Sequence, residues 1–289
     1  MFFFLQESGM IFRMKGLIAL DIDGTLTTEL TSLPDQVVAY LGYLVADGWR
    51  IALITGRTFS FASSLLHQID FPYLLAVQNG SDIMEMPSKK LLHRCYLPGA
   101  LIPALDKAYA GQKEDFIIYS GFETGDFCYF RPKRFSPALY SYLETLQALT
   151  PTAWKPLEDF DSIKTGHFPL IKCFGEEQAM HTLTPQLRAV KGVASSLIHD
   201  PVDPRLYLQL VTSDLATKGR ALSFFKKLLS PRVVIAAGDD RNDLPMLKEA
   251  QIRIAMADSP EELLAEATMI ARPASEMGII DALEDACHH

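Results

Sequence analysis

The chain has 289 residues, 48% of them apolar and 21% charged, with a formal net charge of −8. That apolar share excludes a mainly disordered state, and the length suits one large or two ordinary domains. The acidic balance argues against broad binding to nucleic acid or to an anionic membrane, which are held mainly by clustered Lys and Arg, but leaves room for a small anionic substrate in a local basic pocket.

The start, Met1-Phe2-Phe3-Phe4-Leu5, is too short for a signal-peptide core and lacks a basic segment before it. Met14 stands just ahead of the first orderly strand pattern, so residues 1–13 read as an extension or a misassigned start. Nothing approaches the roughly 18 uninterrupted apolar residues of a membrane helix. Cys95, Cys128, Cys173 and Cys287 show no CxxC or other metal-ligand spacing, which predicts reduced thiols and a cytoplasmic protein. The sequence carries no signal for oligomeric state.

Residues 17–22 form a mostly apolar stretch broken by Asp21 and followed by Asp23-Gly24-Thr25, as where a strand buried on both faces ends at a functional loop. Pro34 opens a helix with Val37, Val38, Leu41, Leu44 and Val45 on one face and Gly48 at its end. Residues 49–54 read as a strand ending in Thr55-Gly56-Arg57, 58–69 as a helix, and 74–77 as a strand stopped by Asn79-Gly80. From about 83 to 211 the pattern changes to alternating segments (116–119, 127–130, 170–174, 207–211), a helix near 137–149 and many prolines. The first pattern then returns, with helices at 218–229, 244–250, 260–267 and 278–285 and strands at 233–237, 252–256 and 268–270. Strands alternating with helices imply a parallel sheet joined by right-handed crossovers. The expected organisation is an α/β core in two parts, 1–82 and 212–289, with an α+β domain inserted at 83–211.

Ligands of parallel sheets gather at the carboxyl ends of the strands. Asp21 and Asp23 lie two apart at such an end and share a crevice if the extended geometry persists. Their repulsion calls for a bound cation or a shared proton. Asp239 and Asp243 follow another strand of the same sheet. Carboxylates without Cys or His suit a hard, oxygen-seeking cation, Mg2+ rather than Zn2+. A single strand-end Asp ordinarily caps the next helix; the Asp21/Asp23 pair together with the loop 239–243 points instead to a site. Thr55 and Gly56, at a strand-to-helix junction, offer a hydroxyl and backbone N–H groups to an anion. Lys218 opens a helix, where the dipole disfavours a cation unless an anion is near.

Asp21-Ile22-Asp23-Gly24-Thr25-Leu26, Thr55-Gly56-Arg57, Thr217-Lys218-Gly219 and Gly238-Asp239-Asp240-Arg241-Asn242-Asp243-Leu244-Pro245-Met246 resemble, in this order, the four motifs of the haloacid dehalogenase (HAD) superfamily. They are most similar to those of the Cof-type phosphatases, whose C2-type cap lies between the second and third motifs. The resemblance covers the two flanking blocks; Ala257-Asp258-Ser259 departs from the Gly-Asn-Ala often found there. It implies a Rossmann-like parallel-sheet core with an α+β cap, and a Mg2+-dependent phosphatase acting on a small soluble phosphomonoester such as a sugar phosphate, a nucleotide or a phosphorylated cofactor. Asp21 is then the nucleophile that forms an aspartyl-phosphate, and Asp23 the general acid and base. Thr55, Gly56, Lys218 and Asn242 bind the phosphoryl group, while Asp21, the backbone carbonyl of Asp23, Asp239 and Asp243 ligate Mg2+.

Two other readings share part of this pattern: a hexose phosphomutase of the phosphomannomutase type, and a non-enzymatic phospho-receiver. Receivers are much shorter and lack a cap. Asp at position 23, where the superfamily's ion-pumping ATPases carry Thr, favours phosphatases and mutases. Within the cap, Arg131-Pro132-Lys133-Arg134 and the group Lys164, His167 and Lys172 are either a solvated face or contacts to the leaving group. Cap closure, by analogy, pivots near 81–84 and 211–213.

Overall fold

The structure, a computed structural model, describes residues 14–150, 152–203 and 205–288. The expected extension at 1–13 lies outside the described residues. Apolar runs build β1 (Gly16–Leu20), β2 (Trp49–Ile54) and β3 (Tyr73–Val77), linked by α1 (Asp35–Ala46) and α2 (Phe59–Leu66). Successive side chains of β1 point to opposite faces, so Ile18 and Leu20 enter one apolar cluster and Leu17 and Ala19 the other. A hairpin, β4 (Asp82–Met86) and β5 (Lys90–Arg94), follows.

The chain then enters the cap through β6 (Leu97–Pro98), α3 (Ile102–Ala108), β7 (Phe116–Tyr119) and β8 (Cys128–Phe130). It continues through α4 (Pro137–Leu149), β9 (Trp154–Pro156), β10 (His167–Phe168), β11 (Leu170–Gly175), α5 (Glu177–Arg188), β12 (Val193–His199) and β13 (Tyr207–Ser213). It returns to the core with α6 (Lys218–Leu229), β14 (Val234–Gly238), α7 (Leu244–Leu247), β15 (Ile252–Met256), α8 (Glu261–Glu266), β16 (Met269–Ala271) and α9 (Ile279–His288).

The core sheet has the order β16-β15-β14-β1-β2-β3-β4-β5, parallel from β16 to β3 and antiparallel across the last two pairs. The cap sheet has the order β12-β13-β11-β7-β8-β9, antiparallel except for β8 with β9. This is the α/β core with an inserted α+β cap that the sequence predicts. One boundary moves. Residues 82–94 belong to the core sheet, beyond the expected division at 82/83, because Asn79-Gly80 does more than stop β3. Gln78, Asn79 and Gly80 all take positive φ and reverse the chain into β4. The expected pivots at 81–84 and 211–213 therefore fall at the start of β4 and inside β13, and the chain crosses between the sheets just beyond β5 and β13. The two crossings touch, with Cys95 Sγ donating to Ser213 Oγ at 3.3 Å.

On one face of the cap sheet α3 and α5 bury Ile102, Leu105, Met180, Leu183 and Leu187 against Phe116, Ile118, Ile171 and Val211. On the other, α4 packs Leu139, Leu143 and Leu146 against Ile117, Tyr119, Phe174 and Leu208. The remainder of that second face meets the core. Polar contacts tie the two together: Ser60 N donates to Asp126 Oδ2, Ser81 Oγ to the Pro169 carbonyl at 2.8 Å, and His199 N to Asp240 Oδ2 at 3.2 Å. Among the described residues, no helix is long and apolar enough to cross a membrane.

Candidate active site

The carboxyl ends of β1 and β14 lie side by side, and the ladder extends one residue past β1: Asp21 N donates to the Ala237 carbonyl at 3.0 Å. The chain then turns tightly, with the Ile22 carbonyl accepting from the N–H groups of Thr25, Leu26 and Thr27. Gly24 sits at φ +72°, and a Cβ there would lie 2.1 Å from Asp239 Oδ2. Glycine thus lets the turn approach the neighbouring acidic loop. Thr25 Oγ1 donates to Asp239 Oδ1 at 3.3 Å.

After β14, one turn of 3-10 helix (Arg241–Asp243) is held by a reciprocal capping box between Asp240 and Asp243. Asp243 Oδ2 accepts from the backbone N–H of Asp239 at 3.1 Å and of Asp240 at 3.2 Å. Its Oδ1 faces Lys218, the first residue of α6, whose helix is capped by the Thr217 hydroxyl. Lys218 Nζ lies 2.7 Å from Asp243 Oδ1 and 2.7 Å from Asp21 Oδ1, and all three side chains are buried. One carboxylate oxygen from each of Asp21, Asp239 and Asp243 falls within 4.8 Å of the others.

Three carboxylates around one ammonium carry a formal charge of −2 in a buried space. Burial, and next the charge of Asp243, push the Asp21 carboxyl up to about 7, with Lys218 opposing. Burial and then Asp21 raise Asp239 well above the ordinary carboxylate range. Burial works against the Lys218 ammonium, but Asp21 and Asp243 together outweigh it and hold its pKa above that of free lysine. An excess of buried negative charge on oxygen donors is what a hard divalent cation relieves.

The structure brings Asp21, Asp239, Asp243 and Lys218 together, with the charge of Asp23 near enough to act on Asp21. Asp23 accepts two hydrogen bonds from Arg57, one from Nε at 2.8 Å and one from Nη2. Arg57 is anchored in turn by its Nη1, which donates to the Leu30 carbonyl at 2.7 Å, and by the Phe61 ring 4.1 Å from its guanidinium carbon. Thr55 is fully buried, and its hydroxyl accepts from Arg57 N at 3.1 Å. A Cβ on Gly56 would meet Leu210 Cδ1 of the cap at 3.0 Å, Asn79 Oδ1 at 3.5 Å and Asn242 Nδ2 at 3.9 Å. Asn242 Nδ2 donates to Asn79 Oδ1 at 3.3 Å, so residues of the second and fourth motifs meet here. The sequence reading did not foresee Asn79 or the pairing of Arg57 with Asp23.

The basic cap residues divide. Arg131 is buried between Asp115, at 2.7 and 2.6 Å, and Asp106, at 2.7 Å, with the Phe116 and Phe160 rings 5.0 and 4.1 Å away. It holds the cap together and meets no substrate space. Lys133 pairs with exposed Glu158 at 2.9 Å, Lys164 pairs with Asp161, and His167 is exposed. Lys172 alone of the group lines the cleft between cap and core.

An acidic centre at the carboxyl ends of a parallel sheet, faced by an α+β insertion, defines a capped α/β enzyme. The model of the haloacid dehalogenase-like hydrolase family matches residues 18–283, and the chain belongs to that family. It is 22% identical over 284 residues to the 5-amino-6-(5-phospho-D-ribitylamino)uracil phosphatase YwtE of Bacillus subtilis, an alignment covering 91% of this chain and 94% of that one. Among solved structures, SMU.1108c of Streptococcus mutans shares the fold with a TM-score of 0.77 at 18% identity, over 96% of this chain and 100% of that one. The HAD subclass IIB sugar phosphatase BT4131 does so with a TM-score of 0.73 at 18% identity, over 93% and 98%.

Proposed function

We propose that the protein is a Mg2+-dependent phosphatase that hydrolyses a small phosphomonoester of the sugar-phosphate class through an aspartyl-phosphate on Asp21. The observation that carries this reading is the buried cluster in which Asp21, Asp239 and Asp243 converge around Lys218. The sugar-phosphate class is supported by the shared fold with a sugar phosphatase and by likeness to a phosphatase of a phosphoribityl compound. A cytoplasmic site of action accords with the four free thiols.

The donor set fits Mg2+: Asp21, Asp239, Asp243 and the backbone carbonyl of Asp23 would hold it. When bound, the ion offsets charge on the phosphoryl oxygens. Asp21 Oδ attacks phosphorus in line, the bond from phosphorus to the ester oxygen breaks, and the departing alkoxide takes a proton from Asp23. Asp23 then takes a proton from water as that water attacks the aspartyl-phosphate, releasing inorganic phosphate and restoring Asp21. Arg57 fixes the orientation of Asp23 through two N–H donors. Lys218, the Thr55 hydroxyl, the Gly56 N–H and Asn242 hold phosphoryl oxygens in a site sealed by the cap.

The test is phosphate release from p-nitrophenyl phosphate and a panel of sugar phosphates. Activity should stop in EDTA and return with Mg2+. Asp21→Asn should lose turnover by at least about a thousandfold while its melting temperature is held. An active Asp21→Asn enzyme or full activity in chelator refutes the mechanism, and an absolute need for a sugar bisphosphate would make the protein a mutase.

A further inference from the structure

The cap-sheet face that carries α4 and, beyond it, meets the core is built from apolar side chains: Ile117 and Tyr119 on β7, Leu170 and Phe174 on β11, Leu208 and Leu210 on β13. Lys172 is set into it, in register between Ile117 and Leu210. Among the described residues its ammonium makes no hydrogen bond or ion pair; its described contact is the Tyr119 ring, 5.2 Å from Nζ to the centroid. The charges of Asp200 and Asp23 act on it from a distance, with Arg57 opposing, but neither carboxylate is in contact with it; Asp200 Oδ1 accepts from the Tyr142 hydroxyl at 2.6 Å and from Val202 N at 2.7 Å. A half-buried ammonium set among apolar side chains with no contacting acceptor is poorly solvated, and a ligand anion in contact with it relieves that cost.

The cleft that Lys172 lines has a volume of about 50 Å3, bounded by Leu30, Thr58 and Phe61 of the core and by Tyr119, Trp154 and Lys172 of the cap. Trp154 Nε1 is buried there without a hydrogen-bond partner, a second donor in search of an acceptor. Leu30 and Phe61 are also the residues that anchor Arg57 beside Asp23. The cleft thus adjoins the carboxyl group assigned to protonate the leaving group. Space on the order of two water volumes favours a compact leaving group over a nucleoside.

Resting on the phosphatase reading above, we propose that Lys172 sets specificity by binding an acidic group, a carboxylate or a second phosphate, carried on the leaving group of a compact phosphomonoester. A hydroxyl would accept a hydrogen bond from the ammonium but bring no charge into contact with it. An acid answers both needs, and a charged hydrogen bond of this kind corresponds to about a ten- to hundredfold preference.

The experiment compares matched pairs: 3-phosphoglycerate against glycerol 3-phosphate for the carboxylate, and fructose 1,6-bisphosphate against fructose 6-phosphate for the second phosphate. In Mg2+, the wild type should favour the acidic member of at least one pair by about tenfold or more in kcat/KM. Lys172→Met should collapse that preference through KM, and Lys172→Arg should keep it. Calorimetric binding of the same four compounds to Asp21→Asn and to Asp21→Asn/Lys172→Met should show the same preference and the same loss. Equal handling of both members of each pair, or a preference that survives Lys172→Met, overturns the proposal. If no compound is hydrolysed but acidic members still bind through Lys172, the phosphatase reading falls and the specificity assignment stands.

Discussion

Replacing Lys218 with Met keeps length and apolar volume while deleting the charge that touches two carboxylates of the cluster. Lys218 Nζ lies 2.7 Å from both Asp21 and Asp243, and its side chain is 1% exposed. Without it, Asp21 and Asp243 face each other and Asp239 with no adjacent cation and little water. Removing one partner from a buried ion pair costs about 3–5 kcal/mol. For a chain of this size each kcal/mol lowers the melting temperature by about 2 °C, so Lys218→Met should melt about 6–10 °C below the wild type in EDTA. Mg2+ supplies positive charge to the same cluster. At a hundredfold excess over its dissociation constant a ligand stabilises by about 2.7 kcal/mol, so Mg2+ should raise the variant by half or more of what the substitution cost, and raise the wild type as well. Circular-dichroism melts of both proteins, in EDTA and in Mg2+, provide the assay. A variant that melts within about 1 °C of the wild type in EDTA, or one that Mg2+ does not raise, refutes the reasoning that the cluster is an electrostatic unit with room for a cation.

In chelator, stability should rise as pH falls. The Asp21 carboxyl is raised from 3.8 to about 7 in the folded chain. Between those values the folded state binds more protons than the unfolded one, so lowering the pH favours folding; burial raises Asp239 and Asp240 in the same sense. Melts in EDTA should therefore be higher at pH 5.5 than at pH 7.5, and excess Mg2+ should flatten or reverse that slope because the metal binds the deprotonated carboxylates. Gly24→Ala places a methyl 2.1 Å from Asp239 Oδ2 at a backbone φ of +72°. The Mg2+ concentration giving half-maximal activity should rise by at least about tenfold, and an unchanged value would show that Asp239 is not a ligand. Arg57→Lys trades a fork of donors on Asp23 for a point charge, so kcat should fall by about ten- to hundredfold with little change in KM, read by steady-state kinetics.

The core was legible because its signals are local. Strand-end carboxylates, a helix-opening lysine and alternating apolar segments each mark their own place, and the order of the blocks places Asp21, Asp239, Asp243 and Lys218 at one edge of one sheet. What was not legible depends on partners distant in sequence. Asp23 takes its orientation from Arg57, 34 positions away, with no local sign of that pairing. Asn79-Gly80 was read as the end of a strand when its left-handed backbone makes it the corner of a hairpin. The basic run at Arg131 looked like a charged surface, but Asp106, Asp115 and two aromatic rings draw its arginine inside. Lys172 did carry a signal: a lysine in the apolar run Leu170-Ile171-Lys172-Cys173-Phe174, at a position whose neighbours on the same face are Leu170 and Phe174.

The meeting of Cys95 with Ser213 gives the insertion a single doorway. A segment that leaves and re-enters its host at neighbouring points can be excised by joining those points with a short Gly-Ser bridge, since β5 and β14, the core strands before and after the insertion, already sit in one continuous sheet. The same two cuts would accept a lid grafted from a relative. Lineages that exchange lids at this doorway can change which molecules are admitted while inheriting the acidic centre untouched.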